Sequence, residues 1–202
     1  CCPRHILKSA IARAKEAGYT MKVGPELEFF LFHLAQDGSP TTHTHDDGGY
    51  FDLAPIDRGE EARRDMCIAL EKLGLKIEAS HHETAIAQHE IDFKYDDVLT
   101  TADNVMTFKI GVKTVAQRHG LHATFMPKPI YGVAGSGMHV NISLHKGEQN
   151  AFAGENGLSQ DALYSIAGLM RHIQAITAVA NPLVNSYKRL RAGYEAPAYV
   201  AW

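Results

Sequence analysis

The sequence predicts an α+β fold in which helices pack on one face of an antiparallel sheet. Short segments alternate polar and apolar residues with a period of two, most cleanly from Gln88 to Tyr95. Longer segments place apolar residues at helical spacing, and these are mixed with the strand-like ones along the chain. Alternation of this kind belongs to strands with one face on a core and one face wet, the usual state of antiparallel sheets.

Pro3 to Ala17 reads as a helix, with Leu7, Ala10, Ile11, Ala14 and Ala17 at helical spacing, Pro3 in the first turn and Gly18 closing the end. Gly24 to Phe32 follows as an aromatic and aliphatic strand, with Glu26 and Glu28 on one face and Leu27, Phe29 and Leu31 on the other. Residues 36–49 read as a polar surface loop in which His43 and His45 are solvated. Asp57 to Glu60 has the form of a capping box ahead of a helix whose stripe is Ala62, Met66, Ala69, Leu70 and Leu73. Leu75 to His82 is strand-like, with Leu75, Ile77 and Ala79 on one face. In the segment after it, Gln88, Glu90, Asp92 and Lys94 oppose His89, Ile91, Phe93 and Tyr95.

A long helix is expected over 98–119, with Ala102, Val105, Met106, Val112 and Ala116 inward, and a short strand from Leu121 to Met126. Val140 to Leu144 is a strand that shares one face between His139, Asn141 and Ser143. Ser159 caps a last long helix that is apolar on nearly all sides and is therefore expected to be buried. Asn185 to Tyr194 is polar and basic.

The 202 residues are 45% hydrophobic and 21% charged, enough for one sizeable core or two small ones. A net charge of -3 gives no electrostatic case for nucleic acid. No apolar run approaches the ~20 residues of a membrane span, and no signal-peptide core opens the chain. Three cysteines, two of them adjacent, make neither a disulfide framework nor a zinc pattern, so a cytoplasmic location is the default expectation. Both ends look cut, the second at the strand-like run Ala198 to Trp202, and a piece of a longer protein is expected.

Chemistry gathers on the polar strand faces. Two carboxylates on one strand face repel each other and are costly to desolvate. Either a divalent cation or a Lys or Arg partner offsets that, unless the face is simply wet. Glu26 and Glu28, Glu90 and Asp92, and His139, Asn141 and Ser143 would together suit hard divalent cations if they line one concavity, and two close metals suit phosphoryl transfer. Twelve histidines, several beside acids, point the same way. Gly135-Ser-Gly137 lets backbone approach an anion but lacks the Lys-Ser/Thr of a P-loop. Lys188, Arg189 and Arg191 form either a solvated face or a grip on a carboxylate or phosphate. No Ser or Cys has a base pattern around it, which leaves nucleophilic catalysis with little support.

Six stretches occur in one order and spacing: Gly24-Pro-Glu-Leu-Glu-Phe-Phe-Leu-Phe32; Glu78-Ala-Ser-His-His-Glu83 with Gln88-His-Glu-Ile-Asp-Phe93; Thr101-Ala-Asp-Asn-Val-Met-Thr-Phe-Lys109; Ala123-Thr-Phe-Met-Pro-Lys-Pro129; Gly135-Ser-Gly-Met-His139; and Asn185 to Pro197. The series resembles bacterial type I glutamine synthetase over essentially the whole chain. That resemblance implies a catalytic domain, here partial over 1–202, whose curved antiparallel sheet forms a funnel for two Mg²⁺ or Mn²⁺ ions with helices on its outer face. It implies that ATP phosphorylates the side-chain carboxylate of glutamate and that ammonia displaces phosphate to give glutamine, in a cytoplasmic ring-shaped homo-oligomer, a dodecamer.

By motif, Glu28, Glu83 and Glu90 would hold one metal, and Glu26 and His139 would help hold the other. Glu78, Asn141 and Ser143 would lie along the nucleotide. Gly135 would touch glutamate, Arg189 would hold its carboxylate, and Glu195 would sit on a flap over the phosphorylated intermediate and take a proton from ammonium. For Glu78 and Glu83 both to serve, an irregularity is expected around Ser80 to His82. The family's usual Asn is Ala134 here, its Val-Ala-Pro-Gly is Thr84-Ala-Ile-Ala87, and its Val-Pro is Arg191-Ala192. These departures leave open a ligase joining glutamate to another amine such as a polyamine, or a non-catalytic homologue. The family's N-terminal domain and the segment expected after Trp202 complete the site in the resemblance.

Overall fold

A fifteen-residue strand, β1 (Thr20–Leu34), is the spine of the molecule. The structure, a computed structural model, describes residues 2–155 and 157–195. In chain order the elements are α1 (Pro3–Glu16), β1, β2 (Pro40–Thr44), α2 (Glu60–Lys72), β3 (Ile77–His82), β4 (Gln88–Phe93), β5 (Asp96–Asp97) and α3 (Val98–Arg118). They continue as β6 (Leu121–Thr124), β7 (Met138–Lys146), β8 (Gln149–Asn150), β9 (Ala153–Gly154), β10 (Gly157–Leu158), α4 (Gln160–Ala180) and α5 (Val184–Arg189).

Every pairing of β1 is antiparallel. One of its edges takes β5, β4 and β2 in turn, and the other takes β7 and β6. β3 extends the sheet beyond β4 and β8 beyond β7, so eight strands form one curled antiparallel sheet. The period of two then sorts the side chains. Leu27, Phe29 and Leu31 turn to one face, where they join Ile91 and Phe93 of β4, Met66 and Leu70 of α2, and Phe108, Val112 and Val115 of α3. Glu26 and Glu28 turn to the other, and further along that face Phe30 and Phe32 pack on Ala85, Ile130 and Val133. Helices on one face of an antiparallel sheet is the architecture that the alternation predicts.

Several local expectations are corrected. Asp57 is not the cap of α2. Gly59 occupies that position with no side-chain cap, because the Asp57 carboxylate accepts instead from the Gly59 N–H at 2.9 Å and from the Arg63 guanidinium at 2.7 Å. The loop over 36–49 contains β2, and His45 in it is buried, its Nδ1–H donating to the Leu31 carbonyl at 2.9 Å. In α3, Met106 is 62% exposed, since the inward stripe runs through Thr101, Phe108, Val112 and Val115. The irregularity in β3 lies between Ile77 and Ala79 rather than at Ser80 to His82. There the extra residue is Glu78. It moves Ala79 off the face of Ile77 and opposite Asp92, so that His81 comes opposite Glu90.

The largest correction is α4. Ser159 caps it as expected, accepting from the Ala162 N–H at 3.1 Å, but Ala162 is its one buried residue among those described. Leu163, Leu169, Met170 and Val179 remain exposed, because no described element packs over them. Ala198 to Trp202 lies outside the described residues.

Candidate active site

The polar face of the spine places three chains of side chains in register. Glu28 stands opposite Glu90 of β4, while Glu26 is flanked by Asp92 on one side and His139 of β7 on the other. Directly opposed residues share a face, so all five project together. The segment after β3 keeps the alternation that the Glu78 bulge has reset. It brings Glu83 to the same side, its backbone N–H held by the Gln88 carbonyl at 2.8 Å. The result is a cavity of about 440 Å³. Glu26, Glu28, Glu83, Glu90 and His139 line it, as do Gly135, Arg189 and Glu195. Tyr50, Thr84, Gln88 and Ala134 complete the wall.

Glu28 is the most tightly held of these acids. Its Oε2 accepts from the Gln88 side-chain amide at 2.8 Å and from the Gly137 N–H at 3.0 Å, and its Oε1 lies 3.3 Å from His139 Nε2. Burial pushes the Glu28 carboxyl up, but the hydrogen bonds from His139 and Gly137 more than offset it and hold the group below the ordinary carboxylate value. The same hydrogen bond raises His139, against the opposing effect of burial. A Cβ at Gly137 would crowd this cluster, falling 2.7 Å from Arg189 Nη2 and 2.8 Å from His139 Nε2, so those side-chain ends would have to shift.

Glu90 is in the opposite state. Burial first, then the charge of Asp92 and a hydrogen bond to Glu83, push its carboxyl up to about 9. Burial and then Glu26 raise Asp92 to about 6. Asp92 Oδ1 is buried without a partner, and Glu90 Oε2 lies 3.2 Å from His81 Nε2. Among the described residues the tight group of possible ligands on this face is His81, Glu90 and Asp92, with ligand atoms within 4.8 Å of one another. Of the predicted metal set, Glu90 belongs to it, while the other members stand around it on the cavity wall.

Behind the cavity lies a second, largely buried polar group. Arg63 Nη1 is 2.7 Å from Asp57 Oδ2 and 2.9 Å from His89 Nδ1, and Arg63 Nε is 3.2 Å from Ser80 Oγ. Arg can only donate, so His89 Nδ1 accepts and its proton lies on Nε2, facing His45 Nε2 at 3.2 Å. Burial and the neighbouring guanidinium keep His89 well below its ordinary value, and the ring is neutral. His82 differs. Its Nδ1 donates to the Glu83 carbonyl at 2.7 Å and its Nε2 to Asp46 Oδ1 at 3.2 Å, and since both partners only accept, the ring is an imidazolium. Although burial opposes it, Asp46 raises His82 accordingly. Asp46, Asp57, His82 and His89 have metal-like spacing, but Arg63 already supplies their cation. They form a buttress behind Glu83 and Glu90.

Three predicted residues are not brought to the cavity. Glu78 is exposed at the bulge, outside the lining. Asn141 lies further along β7, donating to Glu26 Oε1 at 2.8 Å, and Ser143 faces His145 Nε2 at 3.2 Å. Of the basic trio, Arg189 lines the cavity whereas Lys188 and Arg191 are exposed. Tyr50 and Thr84 were missed as wall residues. Tyr50 carries no sequence signal, being a loop aromatic stacked edge-on to His81. Thr84 is visible in the sequence only as a departure from the family's pattern.

A family described as "Glutamine synthetase, catalytic domain" matches residues 1–202. The chain belongs to the glutamine synthetase catalytic-domain family. A glutamine synthetase of Clostridium saccharobutylicum is 66% identical over 99% of this chain, and that of Thermus thermophilus is 61% identical over 99%. Each is matched over 46% of its own length, so the chain spans about half the length of the curated relatives it matches. Among solved structures, Plasmodium falciparum glutamine synthetase superposes with a TM-score of 0.86 at 32% identity, over 96% of this chain and 44% of that one. The curled sheet described above is therefore the glutamine synthetase sheet, and the acids lie on the face turned away from α2 and α3. No described helix is long and apolar enough to cross a membrane.

Proposed function

We propose that this chain is the acid-lined part of a glutamine synthetase, a ligase that uses ATP to join ammonia to the side-chain carboxylate of glutamate through γ-glutamyl phosphate. The observation that carries the reading is the convergence of Glu26, Glu28, Glu83, Glu90, His139, Gly135, Arg189 and Glu195 on one cavity. The glutamine synthetase relatives, at 57–66% identity, favour ammonia over a polyamine and an enzyme over a non-catalytic homologue. Residues 1–202 are on this reading part of one catalytic domain, completed by further chain in a cytoplasmic ring of twelve subunits.

The cavity fits a hard divalent cation. Five carboxylates line it, an unpartnered buried oxygen of Asp92 lies beside Glu90, and burial and its neighbours keep the Glu90 carboxyl from ionising. Glu28, Glu83 and Glu90 would hold one Mg²⁺ or Mn²⁺, and Glu26 and His139 would help hold a second. Bound there, the ions would supply neutralising charge for phosphoryl transfer. Gln88 and the Gly137 N–H keep Glu28 fixed in direction. Arg189 presents a guanidinium to the glutamate carboxylate, with Gly135 leaving the backbone free to approach. Asn141, Ser143 and Glu78, outward along the strands, would follow the nucleotide. Glu195 at the rim would accept a proton from ammonium and help exclude water from the acyl phosphate.

The decisive assay incubates the full-length protein with glutamate, ATP and Mg²⁺ or Mn²⁺, with both ammonia and a polyamine present, and analyses the product. Glutamine with one ADP per turnover is expected. A polyamine amide, or no ATP turnover, would remove this reading.

The titration of Glu90 gives a signed expectation. Its folded value is raised from an ordinary 4.5 to about 9, so without a cation the stability it contributes is fully present below 4.5 and lost as the pH rises towards 9. A divalent cation competes with that proton. Mn²⁺ binding near neutral pH should release about one proton per ion, and affinity should rise with pH up to about 9. Calorimetry in buffers of different ionisation enthalpy measures this directly, and a pH-independent affinity with no proton release would contradict it.

Ala134 stands beside Gly135 on the wall where the family usually has Asn. A hydrogen bond to a charged group contributes roughly 1.5–3 kcal/mol. Ala134→Asn should therefore lower the KM for glutamate by about tenfold or more. An unchanged or raised value would mean that the wall is already compensated.

A further inference from the structure

We propose that Thr84 is a positioning residue that ties the turn carrying Glu195 to the floor of the cavity, an assignment that rests on the ligase reading of that cavity. Its backbone N–H donates to Glu83 Oε2 at 2.8 Å. Its hydroxyl lies 2.7 Å from Glu195 Oε2 and 3.2 Å from Glu83 Oε2. A threonine hydroxyl has one hydrogen to give. Since the backbone already serves Glu83, that hydrogen goes to the nearer oxygen of Glu195. One residue thus holds two like charges, a floor acid and a rim acid, each through its own donor.

A second contact holds the same turn. The Lys128 ammonium lies 4.0 Å from the centre of the Tyr194 ring. Lys128 is itself fixed: it is buried, its backbone N–H donates to Asn185 Oδ1 at 2.7 Å, and its ammonium donates to the Val133 carbonyl. Glu195 has φ 56, a left-handed conformation that a non-glycine residue keeps when its surroundings hold it there. The Tyr194 contact fixes where the turn sits, and Thr84 fixes where the Glu195 carboxylate points. Lose the hydroxyl, and the turn stays docked while the carboxylate swings. Water then reaches an acyl phosphate beneath it, adds to give glutamate and inorganic phosphate, and ATP is consumed without glutamine.

The test compares Thr84→Val, Thr84→Ser and Glu195→Ala in the full-length enzyme. Valine has the shape of threonine and keeps the N–H to Glu83, so Mn²⁺ affinity should not change. The kcat should fall roughly three- to tenfold, and phosphate released per glutamine should rise above one. Serine, which retains the hydroxyl, should restore both. Thr84→Val with normal kcat and normal coupling, beside an impaired Glu195→Ala, overturns the assignment of Thr84 alone. Loss of Mn²⁺ affinity in Thr84→Val also overturns it, by showing that the residue acts through Glu83. Normal turnover in Glu195→Ala overturns the role of Glu195 and the ligase reading of the rim with it.

Discussion

Replacing Glu28 with glutamine in the full-length enzyme is expected to weaken Mn²⁺ binding and cut turnover by roughly a hundredfold or more. The change keeps the shape and removes the charge. Glu28 Oε2 accepts from both Gln88 Nε2 and the Gly137 N–H, while Oε1 faces His139 Nε2. A glutamine oxygen can keep Gln88 and Gly137, but its NH₂ then faces His139 Nε2, which can meet it only as the acceptor of a neutral ring, and the charge-assisted contact is lost. His139, raised by its hydrogen bond to Glu28, would also fall back towards its ordinary value. Calorimetry with Mn²⁺ and a turnover assay are the measurements. Wild-type metal affinity in a folded Glu28→Gln protein would exclude Glu28 from the metal set.

The largest expected effect on stability belongs to Asp46→Ala. Asp46 is buried and accepts from the backbone N–H groups of Ala87 at 3.0 Å and Arg58 at 3.2 Å, and from the His82 ring at 3.2 Å. Alanine leaves a buried imidazolium and three backbone donors, those of Ala87, Arg58 and Gly48, without partners. Breaking a buried ion pair by removing one member costs about 3–5 kcal/mol. Urea unfolding of the variant beside its parent gives the difference, and a loss under about 1 kcal/mol would mean that water satisfies the freed groups. Acid should act in the same direction. Burial opposes it, but His45 and His82 hold the Asp46 carboxyl well below its ordinary 3.8. Its contribution to stability is present above that value and lost as the pH falls beneath it.

Much of the site could be read before the fold was known, and for a definite reason. Glu26, Glu28, Glu90, Asp92 and His139 lie on three strands whose side chains alternate strictly, so a sequence period of two suffices to put them on one face. What could not be read depends on partners distant in the chain. His45 looks like a loop residue, and its burial is decided by Leu31 and His89. Asp57 looks like a cap and is claimed by Arg63. The bulge at Glu78 has neither glycine nor proline to mark it, and it decides which side of the sheet Glu83 reaches. The apolar surface of α4 reads as that of a buried helix, yet among the described residues it is exposed, because burial depends on what packs against a helix and not on its own composition. The identity of the substrate came from the ordered motifs rather than from geometry, since acids and one imidazole specify a cation, not an amino acid.

The spine imposes a schedule on folding. β1 is near the start of the chain, yet its longest partnership, from Thr20 opposite His145 to Leu27 opposite Met138, is with β7. At a synthesis rate of about 5–20 residues per second, β7 leaves the ribosome on the order of ten seconds after β1. Throughout that interval the Thr20–Leu27 stretch has an open hydrogen-bonding edge, and Phe29–Phe32 has one until β6 emerges; the antiparallel neighbours of β1 arrive one at a time, β2 first, then β4, β5, β6 and β7. Pairings across such long loops are slow to close and leave apolar strands open to the wrong neighbours. The nascent chain is therefore a natural client for chaperones, and the same strand that organises the finished sheet is the one most in need of protection while it waits.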